Sequence, residues 1–256
     1  MENRGGRNRV QKEQKPKLGL QTVTVREFEP GDKPEVQRIF SEGMMEMVPD
    51  TAFRGLRHHP ESILLYITLT ILCSVMTMCW WVIGLLPVFF LCGRYFYSLR
   101  VIHGFLEHAM SRDMGDIEGF YMNTSDSCLW VAVLEGKVVG LVAAVSPTKS
   151  NGAVELQRMS IDRRFRRCGV GVVLGRKVLE FAVSQGNSTV VLGTTAYKQT
   201  VHRLYQRLGF RCVGVTNGFV TPGSRQSLLE RIFYRVRYNH YSFDVQNSRT
   251  ALNGQH

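Results

Sequence analysis

The sequence is short of charge where its apolar mass is greatest, and short of ordered cysteine. Residues 62–93 hold no Asp, Glu, Lys or Arg over 32 consecutive positions. A soluble core helix does not stay uncharged on every face for that long, and about 20 apolar residues suffice to cross a bilayer as a helix. The stretch therefore predicts membrane embedding. The six cysteines make no C-x-x-C pair and no regular spacing. That excludes a disulfide scaffold and a cysteine zinc module, and predicts reduced thiols in a domain facing the cytosol. No metal site is expected. Residues 1–19 carry six Lys or Arg against two Glu and no apolar run, so a disordered basic tail is expected there and not a secretory signal.

The formal charge of +11 and pI near 9.6 would permit nucleic-acid binding. The basic residues are dispersed, however, instead of being gathered on one helical face among aromatics. Cofactor phosphates and an anionic membrane surface account for them more simply, and no nucleic-acid partner is expected.

At 256 residues the chain has room for one well-buried domain with an insertion. TVTVRE at 22–27 alternates as a strand, Pro30-Gly31-Asp32 turns it, and Val36, Ile39, Phe40 and Met44 continue at helical spacing. That strand needs sheet partners, which lie beyond the apolar stretch. Both flanks then face one compartment, and the stretch is predicted to be a re-entrant hairpin, broken near Gly84 and Pro87, with arms of about 11–20 residues. The expected organisation is a tail at 1–19, a first strand and helix at 20–60, the hairpin at 61–97, the rest of the domain at 98–241 and a flexible tail at 242–256. Beyond the hairpin a helix is expected at 101–110, with Asp113, Asp116 and Glu118 as caps or solvated charges. Strands at 129–134 and 138–145 flank Glu135-Gly136-Lys137 as a tight hairpin, and further strands are expected at 189–194, 210–215 and 232–238. Val201, Leu204, Tyr205 and Leu208 share a helix face that Gly209 ends.

The densest pattern is VELQRMSIDRRFRRCGVGVVLGRKVLEFAVSQ, residues 154–185. Its first eight residues read as a strand, and Leu174, Val178, Phe181 and Ala182 as one helix stripe. Between them lies Arg166-Arg167-Cys168-Gly169-Val170-Gly171. A helix start leaves its first N–H groups unpaired and partly positive, and a glycine turn lets a phosphate approach them. Arg163, Arg164, Arg166 and Arg167 add charge. The loop lacks the Walker lysine and the G-x-G-x-x-G spacing, which makes ATP and dinucleotides the poorer readings.

The opening strand and helix, the R-x-x-G-x-G loop at a strand-to-helix junction and the later L-Y-x-x-L-G-F helix resemble, in that order, the GNAT superfamily of N-acetyltransferases. TAFRGLRHHP, the uncharged insertion, MGDIEGFYM, CLWVAVLEGKVVG and VVLGTTAYKQTVHRLYQRLGF make the chain similar to the membrane-bound camello-like branch, over residues 23–241. Within that branch it resembles most the members that acetylate L-aspartate. Cys168 departs from the pattern, standing where a small or basic residue is expected. The resemblance implies an α+β fold of three α/β/α layers, with a mixed, mostly antiparallel sheet and an inserted membrane hairpin. It implies acetyl-CoA as donor, L-aspartate or another small amine as acceptor, direct attack in a ternary complex, and the lipid bilayer as a partner. It further implies the endoplasmic reticulum membrane with the catalytic domain facing the cytosol, the mitochondrion being the alternative.

Residue by residue, the resemblance puts the CoA pyrophosphate on Arg166, Arg167, Cys168, Gly169, Val170 and Gly171. The pantetheine and thioester carbonyl fall to the backbone of Met159, Ser160 and Ile161. Glu155 would be the base, directly or through water, and Tyr205 the acid near the CoA sulfur. Two carboxylates beside an amine demand fixed cations, preferably bidentate arginine; Arg158 is the candidate, with Arg54, Arg57 and Arg94 as others. His202, one turn from Tyr205, carries no assignment. Two further readings stay open: a cysteine-S-conjugate or protein-lysine N-acetyltransferase of the same family, and a non-catalytic CoA-binding hairpin protein.

Overall fold

Seven apolar or alternating runs become strands: β1 (Thr24–Glu27), β2 (Ser127–Leu134), β3 (Lys137–Val145), β4 (Ala153–Ile161), β5 (Thr189–Thr195), β6 (Arg211–Asn217) and β7 (Arg237–Asp244). The computed structural model describes residues 23–146, 152–217 and 233–246. The expected tail at 1–19, residues 147–151 and 218–232, and the end of the chain from 247 lie outside them. The strands form one sheet in the order β1-β2-β3-β4-β5-β7-β6. Every pairing is antiparallel except β4 with β5. Glu135 and Gly136, at φ 51° and 74°, turn β2 into β3, the two left-handed residues that a type I′ hairpin requires.

Helices cover both faces, as the three-layer expectation has it. On one face α5 (Val170–Ser184) and α6 (Gln199–Arg207) bury Leu174, Val178 and Tyr205 against Trp130, Val142 and Leu156. On the other, α1 (Lys33–Met45) and the segment after α4 bring Ile39, Phe40 and Met114 against Leu129, Leu141 and Ala143. The central strands β2 and β3 are therefore buried on both sides, which explains their near-continuous apolar sequence.

The uncharged stretch forms two antiparallel helices, α3 (Pro60–Thr77) and α4 (Trp81–Met110), each long and apolar enough to cross a membrane. Leu64, Val75, Met76, Met78, Trp80, Trp81 and Phe89 are all more than half exposed, an apolar surface that water does not favour. Two expectations are corrected here. The chain reverses at Met78, a left-handed residue at φ 51°, and not near Gly84, while Pro87 lies inside α4. A proline removes one backbone donor, and a long helix braced by a neighbour absorbs that loss. The helix expected at 101–110 is present, as the continuous end of α4, with Ile102 and Ala109 buried; the other correction is that no break separates it from the hairpin arm. β1 precedes this hairpin and pairs with β2 after it, Thr24 opposite Val133 and Glu27 opposite Trp130. Both flanks of the hairpin thus belong to one sheet.

The last strand starts at Arg237, five residues after the expected 232. Phe233 instead stacks on Tyr97, with ring centroids 5.3 Å apart, and Tyr234 and Val236 pack with Tyr197. Aromatic packing, not a ladder, takes the first part of that apolar run.

Candidate active site

The sheet opens at one place. β4 and β5 pair only from Ala153 opposite Thr189 to Glu155 opposite Val191; beyond that β4 stays with β3 while β5 continues with β7. Residues 156–161 and 192–195 therefore border a gap. Within it β4 carries a bulge, where the register with β3 shifts between Leu141 and Ala143 and Arg158 takes φ 53°. One extra residue swaps the faces of everything after it. Val154 and Leu156 lie in the α5 core before the bulge, and Met159 and Ile161 lie against it afterwards. Strand alternation from the Asp162 amide, which donates to the Val139 carbonyl, turns the Ile161 and Met159 amides toward the gap and the Ser160 amide toward β3. Of Met159, Ser160 and Ile161, the first and last thus turn their amides to the gap and Ser160 does not.

At the end of β4 the chain enters the basic loop. Arg167 and Gly169 are both left-handed, at φ 70° and 82°, and a side chain at Gly169 would meet nothing within 4 Å. The first intrahelical bonds of α5 run from Val172 and Val173 to the Gly169 carbonyl, so the Gly169, Val170 and Gly171 amides precede them and point out of the helix start. Gly171 lets this turn sit close, because a Cβ there would lie 2.9 Å from Leu204 and 3.0 Å from Ile161. The residues fit a pyrophosphate. Of the four arginines, Arg164 is committed to Asp162 (2.7 Å) and Arg166 to Glu46 (2.6 Å). Arg163, Arg167 and Cys168 are exposed.

Asp162 fixes the entry to this loop. It is buried, accepts from the Arg164 amide and guanidinium, and is bonded to Arg38 of α1 at 2.8 Å. Arg164 draws its carboxyl well below the usual carboxylate range; burial opposes this, and Arg38 adds to the lowering. The folded pKa lies below the unfolded one, so the stabilisation is complete above about pH 4 and is lost as pH falls from there toward the folded value. Asp162→Asn is expected to lower stability by about 1.5–3 kcal/mol at pH 7. Thermal unfolding midpoints should show the gap from the parent narrowing as the pH is taken below 4.

Tyr205 reaches the gap from α6. It is 5% exposed, its hydroxyl lies 3.7 Å from the Met159 sulfur, and burial pushes its pKa far up. Glu155 sits on the opposite face of β4, partly buried, with no hydrogen bond or ion pair among the described residues. It is four residues, ~13 Å of strand, upstream of Met159, so the structure brings Tyr205 and Met159 together and leaves Glu155 apart from them. His202 bonds Tyr241 at 2.9 Å.

Arg158 is already partnered. Asp113 takes its Nε at 2.7 Å and one Nη at 3.0 Å, Tyr121 donates to the same carboxylate at 2.6 Å, and Phe40 and Phe105 flank the guanidinium. The reading of Asp113 as a cap or solvated charge is therefore corrected: it is 5% exposed and anchors the bulge. Sequence reasoning also missed Glu46, Asp50 and Lys198. Lys198 precedes α6, with its Nζ 3.7 Å from Glu46 and 4.0 Å from Asp50. Nothing local marks this cluster, because 120 residues separate Glu46 from Arg166.

The model of the acetyltransferase (GNAT) family matches residues 97–210. N-acetylaspartate synthetase of Danio rerio is 49% identical over 223 residues, covering 87% of this chain and 79% of that protein. The chain belongs to the GNAT acetyltransferase family. As a GNAT chain it is also 49% identical to human N-acetylaspartate synthetase over 228 residues, 89% of this chain and 75% of that one. Mouse N-acetyltransferase 8 is more distant, 34% identical over 199 residues, 76% of this chain and 87% of its own length. A GNAT acetyltransferase structure from Staphylococcus aureus Mu50 superposes with a TM-score of 0.50 at 15% identity, over 88% of this chain and 99% of that one, which speaks to the fold alone. GNAT acetyltransferases use acetyl-CoA, and this GNAT protein is an acetyltransferase. Among the described residues no group of three or more His, Cys, Asp or Glu is placed to hold a metal.

Proposed function

We propose that this acetyltransferase moves the acetyl group of acetyl-CoA to the amine of L-aspartate, giving N-acetyl-L-aspartate and CoA by direct attack in a ternary complex. The observation that carries the reading is the gap between β4 and β5, with a glycine cradle at its mouth and a buried, protonated tyrosine across from Met159. The name of the 49%-identical relatives supports the acceptor.

The Gly169, Val170 and Gly171 amides, with Arg166 and Arg167, hold the pyrophosphate; Cys168 contributes its backbone. The amides facing the gap polarise the thioester carbonyl, where negative charge develops. An ammonium cannot attack, so its proton has to be taken up; we assign this to Glu155, which, lying on the other face of β4 from Met159, acts through a chain of waters and not by direct contact. Arg158 serves by holding the bulge in shape, and we assign the acceptor's carboxylate elsewhere. Glu155→Gln should lower kcat about a hundredfold with the acetyl-CoA KM unchanged, as steady-state kinetics would read directly.

The α3–α4 hairpin lies in a bilayer with the catalytic domain on its cytosolic side. This is supported by the exposed apolar surface, by the free state of all six cysteines and by the pairing of β1 with β2 across the hairpin. The endoplasmic reticulum is the membrane that the camello-like resemblance suggests. The deciding experiment is acetyl-CoA consumption by detergent-solubilised protein with L-aspartate, S-benzyl-cysteine and a lysine peptide as separate acceptors. Turnover with L-aspartate is expected. Turnover only with another amine would replace the substrate, and none with any acceptor would remove the enzymatic reading.

A further inference from the structure

An acceptor with two carboxylates needs a cation inside the site, and the arginines near it are either partnered or exposed to solvent. Arg158 is held by Asp113. Arg94 is fully buried, and its nitrogens face the Ala52 and Thr51 carbonyls and the Tyr66 hydroxyl. Arg54 is exposed and paired with Asp50 at 3.0 Å, and Arg57 is exposed. Arg166 serves the cradle.

Lys198 differs from all of these. Its side chain is only 25% exposed, yet both contacts, 3.7 Å to Glu46 and 4.0 Å to Asp50, are longer than an ordinary hydrogen bond. Glu46 takes one N–H as a long, weak hydrogen bond, which leaves donors of the ammonium for a further acceptor in a half-buried setting, where a charge-assisted hydrogen bond is stronger than in water. It is also well placed. Lys198 is the non-helical residue just before α6, three residues past the end of β5 and so at the same end of the parallel β4–β5 pair as the basic loop, and it borders Glu46, the partner of Arg166. An acceptor that reaches the gap past α2, on the side of Glu46 and Asp50, meets it before it meets the thioester.

We propose that Lys198 binds a carboxylate of the acceptor and is the residue that makes the site select an acidic amino acid. The assignment rests on the function proposed above. Glu46 and Asp50 sharpen the selection, because a dicarboxylate without an amine meets two like charges and brings nothing to offset them, whereas an amino acid carries both signs. Burial pulls the Lys198 pKa down; Glu46 and Asp50 pull it back up and Arg166 adds to the lowering, so the net shift is downward. These three groups, from the α1–α2 junction, α2 and the basic loop, are the charges that face it among the described residues.

The test is steady-state kinetics on the full chain in detergent, comparing the parent with Lys198→Met and Lys198→Arg. Lys198→Met should raise the L-aspartate KM roughly 10–100-fold, leave the acetyl-CoA KM within about twofold, and be partly rescued by arginine. The ammonium loses its proton at lower pH than a free lysine, so the parent's L-aspartate KM should climb on the alkaline side, whereas in Lys198→Arg, which stays charged, the climb should be delayed. A KM for L-aspartate that does not move, an acetyl-CoA KM that moves in its place, or identical alkaline profiles for parent and arginine variant would overturn the assignment alone. A parent with no L-aspartate turnover would overturn the substrate reading and this assignment with it.

Discussion

Tyr205→Phe is expected to lower kcat by about 10²–10³-fold while leaving both KM values within a factor of about three. The size follows from what the phenol can do. Buried to 5% exposure and with no side-chain hydrogen-bond partner among the described residues but the Met159 sulfur, Tyr205 holds its proton through the neutral range, burial pushing its pKa far up. A thiol has a pKa of about 8.5, so complete transfer of the proton from this tyrosine to a departing thiolate runs uphill. Its contribution is a hydrogen bond to the sulfur as charge develops there, and the loss of one such preorganised donor has the stated cost. The variant also separates the proposed roles. Loss of kcat without loss of acetyl-CoA affinity places Tyr205 at the reacting sulfur; a raised acetyl-CoA KM with normal kcat would make it part of the binding wall.

Asp113→Ala should destabilise the domain by about 3–5 kcal/mol, toward the lower end because water reaches part of the Arg158 guanidinium. The variant removes both carboxylate hydrogen bonds from Arg158 and the acceptor of Tyr121, leaving a guanidinium with 18% side-chain exposure without an anion. The cost belongs to the orphaned charge more than to the pair, and this can be measured. Adding Arg158→Met should restore much of the unfolding midpoint, since an apolar side chain between Phe40 and Phe105 needs no partner. A double variant no more stable than the single one would show that Asp113 acts by some route other than Arg158.

Such contacts mark the limit of what the sequence discloses. The cradle was legible because its chemistry is local: glycines, arginines and a helix start are adjacent in the chain, and the structure sets them in one turn. The two-residue turn at Glu135-Gly136 and the helix face of Tyr205 were legible for the same reason. The bulge at Arg158 was not, because alternation along VELQRMSI looks the same with or without one extra residue, yet that residue decides which side chains face α1 and which face the gap. Asp113, 45 residues from Arg158, looks like a surface acid until the fold closes over it. The reversal at Met78 was also hidden, since in a uniformly apolar stretch the breaking residues Gly84 and Pro87 were the better local signal and packing between the arms overruled them.

That α4 is one continuous helix has a practical consequence for anyone wishing to handle this protein in water. Excising α3 and α4 as a block would take with it Arg94, which holds the end of α2 by the Thr51 and Ala52 carbonyls, and would cut away the helix that carries Ile102 and Ala109 into the core. A soluble form has to keep the second half of α4 as an interior beam, trim α3 and the first turns of α4, and recolour what remains exposed with polar side chains.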